Sequence, residues 1–449
     1  APWRRAARGA GGPARRRPRR RTVTAVVIRR SASPDAAFRR TVLPNGLTVL
    51  TEFVPGVRSV ALGAWVRAAS LHEPRERMGV SHLLEHMVFK GTERRSAKQI
   101  ALELEALGGA LDAYTSREHT VYHARVLDEH LDVACDVVAD VVFRPALRAK
   151  DLNLERKVVL EEIAAVDDTP DDLVFELHNE ALWGDHPYGY SILGTRETVS
   201  ALGVAELREL HARAYRPPRT VVVVSGNVDH DRLLDTLERT GWTAVPAGPD
   251  AGLATQPPRP LPPAEAHVER GGAQTHVVLG STTVPHQDPS RYAVLILGVL
   301  LGGGMSSRLF QRVREELGLA YSVFTYQDFH ADVGVHGVYV ATAPDTARAA
   351  LEAIRRELGE VVQGDLPEDE IAAAKGQLKG QLILSLESVA ARMHRVAAVE
   401  LYGEPYRSLD ESLALVDAVE RADVAEVARR HFAPEAQTVL SLGPEPAHE

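Results

Sequence analysis

The chain has 449 residues, 45% of them apolar and 25% charged, with a single cysteine and a net charge of −9. That length exceeds one ordinary core and implies two or three domains. No run of 18 uncharged apolar residues occurs, so no membrane-spanning helix is expected, and lone Cys135 excludes an intramolecular disulfide. The first 40 residues carry 13 Arg against one acid, Asp35, which leaves the rest at −21. An acidic body disfavours nucleic acid and favours basic partners, although solubility alone accounts for it equally well.

Residues 1–37 are rich in Arg, Ala, Gly and Pro and poor in large apolar side chains, which predicts a disordered tail. The tail lacks the apolar core of a secretory signal. Its Arg-rich, acid-poor composition is also that of a mitochondrial transit peptide, but the prolines of PARRRPRRR break the amphipathic helix such a segment needs.

From Phe38 the elements follow one another closely. FRRTVLPNGLTVLTE predicts two strands around an Asn45-Gly46 turn, and SVALGAWVRAAS a third. In GVSHLLEHMVF the apolar residues Val80, Leu83, Leu84, Met87 and Val88 recur at helical spacing, with Gly91 as a stop. SAKQIALELEALGG is a helix capped by Ser96, and ALDAYTSREHTVYHARV two strands. DEHLDVACDVVADVV and DLNLERKVVLEEIAAV are helices, the first burying Cys135 as an inert thiol. RTVVVVSGNV is a strand.

Residues 246–264 hold seven prolines and read as an extended linker between residues 38–245 and 265–449. Beyond it the order of elements repeats. THVVLGSTTVP parallels VALGAWVRAAS, RYAVLILGVLL parallels SHLLEHMVF, and VARRHFAPEAQTVLSLG parallels LHARAYRPPRTVVVVSG. The expectation is an α+β fold of two homologous sandwich-like domains, each with helices on an antiparallel-rich sheet.

The first half carries the ionisable cluster. His82 and His86 lie one helical turn apart and can reach one ion together. Glu85, between them, is offset toward a bound water. This is the H-x-x-E-H order. By itself the pattern also fits two surface histidines and a glutamate on a solvated helix. A catalytic zinc needs a third protein ligand, and ERKVVLEEIAAV offers Glu155, Glu161 and Glu162. Glu155 and Glu162 share a face, flanking Val158 and Val159, which are expected to hold that face near the core. Spacing alone does not choose between Glu161 and Glu162. His119 and His123 fit no ligand position and read as surface histidines.

The stretches GVSHLLEHMVFKGT, LGGALDAYTSREHTVYHARV, KVVLEEIAAVDDTPDDLVFE and HPYGYSILGT resemble the inverted-motif zinc peptidases: pitrilysin, insulysin and the mitochondrial processing peptidase. The likeness covers nearly the whole chain from Phe38 and is nearest to the short bacterial members. It implies a Zn2+ site of His82, His86 and Glu162 with Glu85 as general base and Glu155 as a supporting acid. It also implies that Arg314 and Tyr321 complete the site from the C-terminal half. In a chain of this length the two domains form half of a clam-shaped chamber. The resemblance therefore implies a dimer, with itself or with a paralogue, in which each zinc helix faces the partner's C-terminal half. GGALDAYTSREHT resembles the edge strand on which the family lays its substrate. Asp112 stands there where the family usually has Asn. LGGGM at 301–305 resembles a flexible Gly-rich segment of the family, and no phosphate-loop pattern is present.

The function expected is a zinc endopeptidase cutting peptides or unfolded, presequence-like segments. Two other readings are a non-catalytic structural subunit, which has no need of the intact cluster, and a zinc hydrolase acting on a small amide. No nucleic-acid or membrane partner is expected. A bacterial cytoplasm is the expected compartment, with the mitochondrial matrix as the alternative.

Overall fold

The computed structural model describes residues 37–248, 253 and 255–444. The expected disordered tail lies outside these residues, apart from residue 37, which begins the first strand. The described residues of the proline-rich segment 246–264 carry neither helix nor strand.

Among the described residues eleven strands form two sheets. The first sheet contains β1 (Ala37–Val42), β2 (Thr48–Phe53), β3 (Ser59–Val66), β4 (Ala110–Thr115), β5 (Thr120–Leu127) and β6 (Thr220–Gly226). The second contains β7 (Glu265–Glu269), β8 (Thr275–Thr283), β9 (Ala320–Phe329), β10 (Gly334–Thr342) and β11 (Thr438–Gly443). Their orders are β1-β2-β6-β3-β5-β4 and β7-β11-β8-β10-β9. Without β1 the two orders coincide, down to one parallel pair in each, β2 with β6 and β11 with β7. The repeat read from the sequence is therefore a repeat of topology, and the fold is α+β as expected.

Local chemistry accounts for the elements. The β1–β2 hairpin turns at Asn45-Gly46, where Gly46 has φ of 89°, a conformation glycine adopts without steric cost. The first half has helices α1 (Val80–Val88), α2 (Ala97–Glu105), α3 (Leu131–Phe143), α4 (Ala149–Asp167), α5 (Pro170–Trp183), α6 (Arg196–Ala201), α7 (Val204–Ala214) and α8 (His230–Arg239). Ser96 caps α2 as the sequence predicts, its hydroxyl accepting from Gln99 N–H while the Gln99 side chain takes Ser96 N–H. The second half has α9 (Arg291–Gly302), α10 (Ala347–Val362), α11 (Glu368–Ser385), α12 (Val389–Leu401), α13 (Leu409–Asp417) and α14 (Arg421–His431), with a π-helical stretch at Phe310–Glu316.

The central strands of each sheet are buried on both faces, which is why strands such as Val221–Val224 read as unbroken apolar runs. On one face of the first sheet, Leu62, Ala64, Tyr122 and Val222 pack with Leu83, Leu84 and Met87 of α1 and with α3. The opposite face, Ala61, Trp65, Val121 and Val223, is covered by Val389, Met393 and Val396 of α12, a helix of the second half. The exchange is reciprocal: Val174 of α5 packs on Val278, Tyr339 and Leu440 of the second sheet. Buried Glu52 on β2 fixes the first crossing, accepting hydrogen bonds from Tyr406 and Arg392. Each half thus lends one helix to the other.

Candidate metal and catalytic site

The α1 helix starts at Gly79, whose φ of 88° and close approach to Leu193 O leave no room for a side chain. Buried Glu73 accepts from the backbone N–H of Gly79 (2.8 Å) and of Ser81 (2.7 Å). A carboxylate there satisfies free N–H groups and complements the helix dipole. The core face of α1 anchors it, and the adjoining face presents His82, Glu85 and His86.

His82 and His86 stand one turn apart with ring centroids 4.6 Å from each other. The α4 helix brings Glu162 opposite them. Glu162 Oε2 lies 3.7 Å from His82 Nε2 and 3.6 Å from His86 Nε2, too far for hydrogen bonds. Tetrahedral zinc with bonds of about 2.0–2.1 Å spaces its ligand atoms about 3.4 Å apart, so the gap suits one such ion. Among the described residues this is the one group of three His, Cys, Asp or Glu side chains whose ligand atoms converge. Burial, then the neighbouring His86, pushes the His82 imidazole down to about 3, which leaves it neutral with a lone pair to give. Two imidazoles and a carboxylate are a donor set that zinc takes.

Glu155 lies behind the cluster, its Oε2 3.3 Å from His86 Nδ1. Its other oxygen is 2.6 Å from Lys90 Nζ. Glu161 is exposed and stays outside the cluster. One detail of the expected α4 face is corrected. Val159 is buried, but Val158 is 48% exposed, because the shared face of Glu155 and Glu162 continues through Val159 and leaves Val158 toward solvent.

Glu85 is nearly buried and does not converge with the ligand atoms. Its Oε2 accepts from Thr115 Oγ1 at 2.5 Å. Burial pushes its carboxyl up to about 7, opposed by the Thr115 hydrogen bond and aided by the Glu162 and Asp112 carboxylates. A general base works best when its proton affinity lies near the working pH.

Arg314 and Tyr321 do not join this cluster within the chain. Arg314 Nη1 donates to Tyr321 O (3.0 Å), and its guanidinium lies 4.4 Å from the centroid of the Tyr321 ring. Tyr321 is the second residue of β9, the edge strand that corresponds to β4, and is 77% exposed. His119 and His123 are not surface residues as expected. Both are half-buried, and burial lowers both pKa values, that of His119 to about 4. The second half covers that face of the sheet, which no local pattern foretold. Cys135 is buried and free as expected, its thiol pushed up by burial.

Lys90, Thr115 and Glu73 escaped the sequence reading. Lys90 sits four residues after His86, a helical neighbour that spacing could have flagged. Thr115 and Glu73 reach the site only through tertiary folding.

Comparison with known proteins gives consistent results. The family model described as insulinase (peptidase family M16) matches residues 48–196. The model described as the peptidase M16 inactive domain matches residues 201–378. A protein named as an uncharacterized zinc protease in Mycobacterium leprae is 42% identical over 397 residues, covering 87% of this chain and 88% of that protein. One of the same name in Bacillus subtilis is 37% identical over 400 residues, covering 88% and 96%. The fold matches a crystal structure described as a peptidase M16 inactive domain from Pseudomonas fluorescens, with TM-score 0.85 and 22% identity over 92% of this chain and 99% of that one. It also matches a protease from Helicobacter pylori, with TM-score 0.85 and 21% identity over 91% and 100%. Among the described residues no helix is long and apolar enough to cross a membrane.

Proposed function

Because the chain belongs to the insulinase family of peptidases, we propose that it is a zinc-dependent endopeptidase acting on peptides or unfolded segments. The observation that carries this reading is the convergence of His82, His86 and Glu162 on one ion-sized gap, with Glu85 beside it. Zinc in that gap, one per chain, would acidify a water and polarise a peptide carbonyl. Glu85 then takes the proton of the attacking water at its carboxylate and delivers it to the leaving amine. Thr115 fixes the direction of that carboxylate. Glu155 accepts the Nδ1 proton of His86 and so directs the Nε2 lone pair toward the gap.

Arg314 and Tyr321 act, in this reading, on the zinc site of a second subunit, where they would supply the donor that a developing oxyanion needs. Unpartnered apolar side chains on both sides support a dimer. Leu154 (62% exposed) and Val158 flank the Glu155 and Glu162 face of α4, and Met305 (75%) adjoins the Arg314 region. Two copies related by a closed symmetry would cover them. The second copy is the partner proposed here, a paralogue being the alternative. The relatives named above are bacterial, and a bacterial cytoplasm is the compartment proposed.

The test is hydrolysis of a quenched peptide by the purified protein, with and without a chelator. Cleavage that the chelator stops and zinc restores supports the reading. A dimer that holds no stoichiometric zinc and cleaves nothing overturns it.

A further inference from the structure

Strand β4 is the outer strand of the first sheet. It pairs with β5 along Ala110–Thr115, and among the described residues nothing pairs with its other edge. Thr115, its last residue, donates to Glu85. An unpaired edge offers a row of backbone groups to an added strand. An extended segment paired there passes the general base, and its side chains alternate between the two faces of the sheet. One set falls on the α1 side, with the metal ligands. The other set falls on the α12 side.

On the α12 side the structure gathers four polar and aromatic groups. Asp112 pairs with His123 across the strands and Tyr114 with Val121, so Asp112, Tyr114 and His123 share the face that Val121 buries under α12. The α12 helix lays His394 on the same face, its Nδ1 3.4 Å from the Tyr114 hydroxyl. The rings of Tyr114, His123 and His394 form a triangle with centroids 6.0–6.1 Å apart. Trp65 backs His394 edge-on at 5.5 Å.

We propose that Asp112, Tyr114, His123 and His394 form a subsite that takes a basic side chain, arginine above all, from an extended polypeptide paired with β4. The proposal deepens the peptidase reading and rests on it for the substrate being polypeptide. Asp112 is exposed, and its one side-chain hydrogen bond among the described residues is from the neighbouring Ala113 N–H at 2.9 Å. Two of the surrounding cations are engaged elsewhere. Arg392 and Arg395 of α12 turn toward buried Glu52, at 3.4 and 3.9 Å. Arg125 shares the face, but it is exposed and makes no ion pair with Asp112 among the described residues. Burial lowers the pKa of His123, against the pull of Asp112, and that of His394, so both rings are neutral near pH 7. The cluster then holds one formal charge, the Asp112 carboxylate, framed by aromatic faces. A planar guanidinium stacks on such faces and pairs with such a carboxylate. An acidic side chain meets repulsion there.

The test separates binding from hydrolysis. A fluorescent peptide of small neutral residues carries one Arg or one Glu walked through every position. Binding is read by anisotropy on the full-length Glu85→Gln protein loaded with zinc. The expected result is a preference for Arg over Glu of about tenfold, confined to one position or to alternating positions. In Asp112→Asn and His394→Ala, each made on the Glu85→Gln background, that ratio falls toward one. An equal ratio at every position, or a ratio that both variants leave intact, overturns the subsite. Hydrolysis of the same peptides by the unsubstituted protein is scored separately. Position-selective binding without any hydrolysis keeps the subsite and sinks the peptidase reading. Hydrolysis without a positional preference does the reverse.

Discussion

The Glu155 carboxylate stands 3.3 Å from Nδ1 of His86. Its other oxygen lies 2.6 Å from Lys90 Nζ, so one side chain bridges His86 and Lys90. Replacing Glu155 by Gln leaves the fold intact and weakens zinc binding about 10–100-fold. Lys90→Gln weakens it less, because the lysine acts through Glu155. Competition with a chromophoric chelator measures both, and an unchanged affinity in Glu155→Gln removes Glu155 from the metal site.

Glu85→Gln keeps the metal and loses the reaction. Glu85 is directed by Thr115 and does not converge with the ligand atoms. Zinc content of the variant matches the unsubstituted protein, while peptide hydrolysis falls about 10²–10⁴-fold. Parallel metal analysis and kinetics decide this, and a variant that hydrolyses normally would place the base elsewhere.

If Arg314 serves the partner's site, two inactive variants repair each other. Arg314→Ala and Glu85→Gln dimers are each expected to be at least tenfold impaired, and a co-expressed mixture recovers about a quarter of the unsubstituted activity. In a mixed dimer one site has Glu85 from one chain and Arg314 from the other. No recovery in a mixture shown to exchange subunits would put Arg314 and Tyr321 outside the reaction.

Two buried histidines make the second half sensitive to acid. His178 on α5 bonds Thr438 O at 3.1 Å, and His336 on β10 bonds His431 O at 2.8 Å. Burial holds their pKa values down at about 4 and about 3, below the ordinary value of 6.5. Groups with a depressed folded pKa contribute their stability above the unfolded value and lose it as pH falls toward the folded one. Urea unfolding between pH 7.5 and 4 should therefore show stability declining from near pH 6.5 downward, by up to about 3 kcal/mol for His178. His178→Gln flattens the slope, and an unchanged slope assigns the acid sensitivity to other groups.

The exchange of α5 and α12 between the sheets predicts that neither half folds well alone. Residues 37–245 expressed separately expose the Ala61, Trp65, Val121 and Val223 face that α12 covers, and aggregate. Met393→Ala in the whole chain costs about 3 kcal/mol, since Met393 is fully buried at that crossing. A soluble, cooperatively folding isolated half would show the exchange to be dispensable.

Much of this protein was legible in its sequence because the signals are local. Helical spacing placed His82 and His86 on one face of α1. The Asn45-Gly46 turn fixed a hairpin, and the serial order of elements revealed a repeat that the two sheet orders bear out. Glu155 and Glu162 were visible as partners two turns apart, although choosing Glu162 over Glu161 needed a family likeness. What the sequence could not decide lies in contacts between distant segments. Val158 faces solvent while Val159 is buried because the direction of α4 against α1 is a matter of packing. His119 and His123 are half-buried because α12 arrives from about 270 residues downstream, and no periodic pattern encodes which sheet a helix will cover. The joining of Thr115 to Glu85, and of His394 to Tyr114, is likewise tertiary. Local spacing sets what a segment can present, and only the packed core decides what it presents it to.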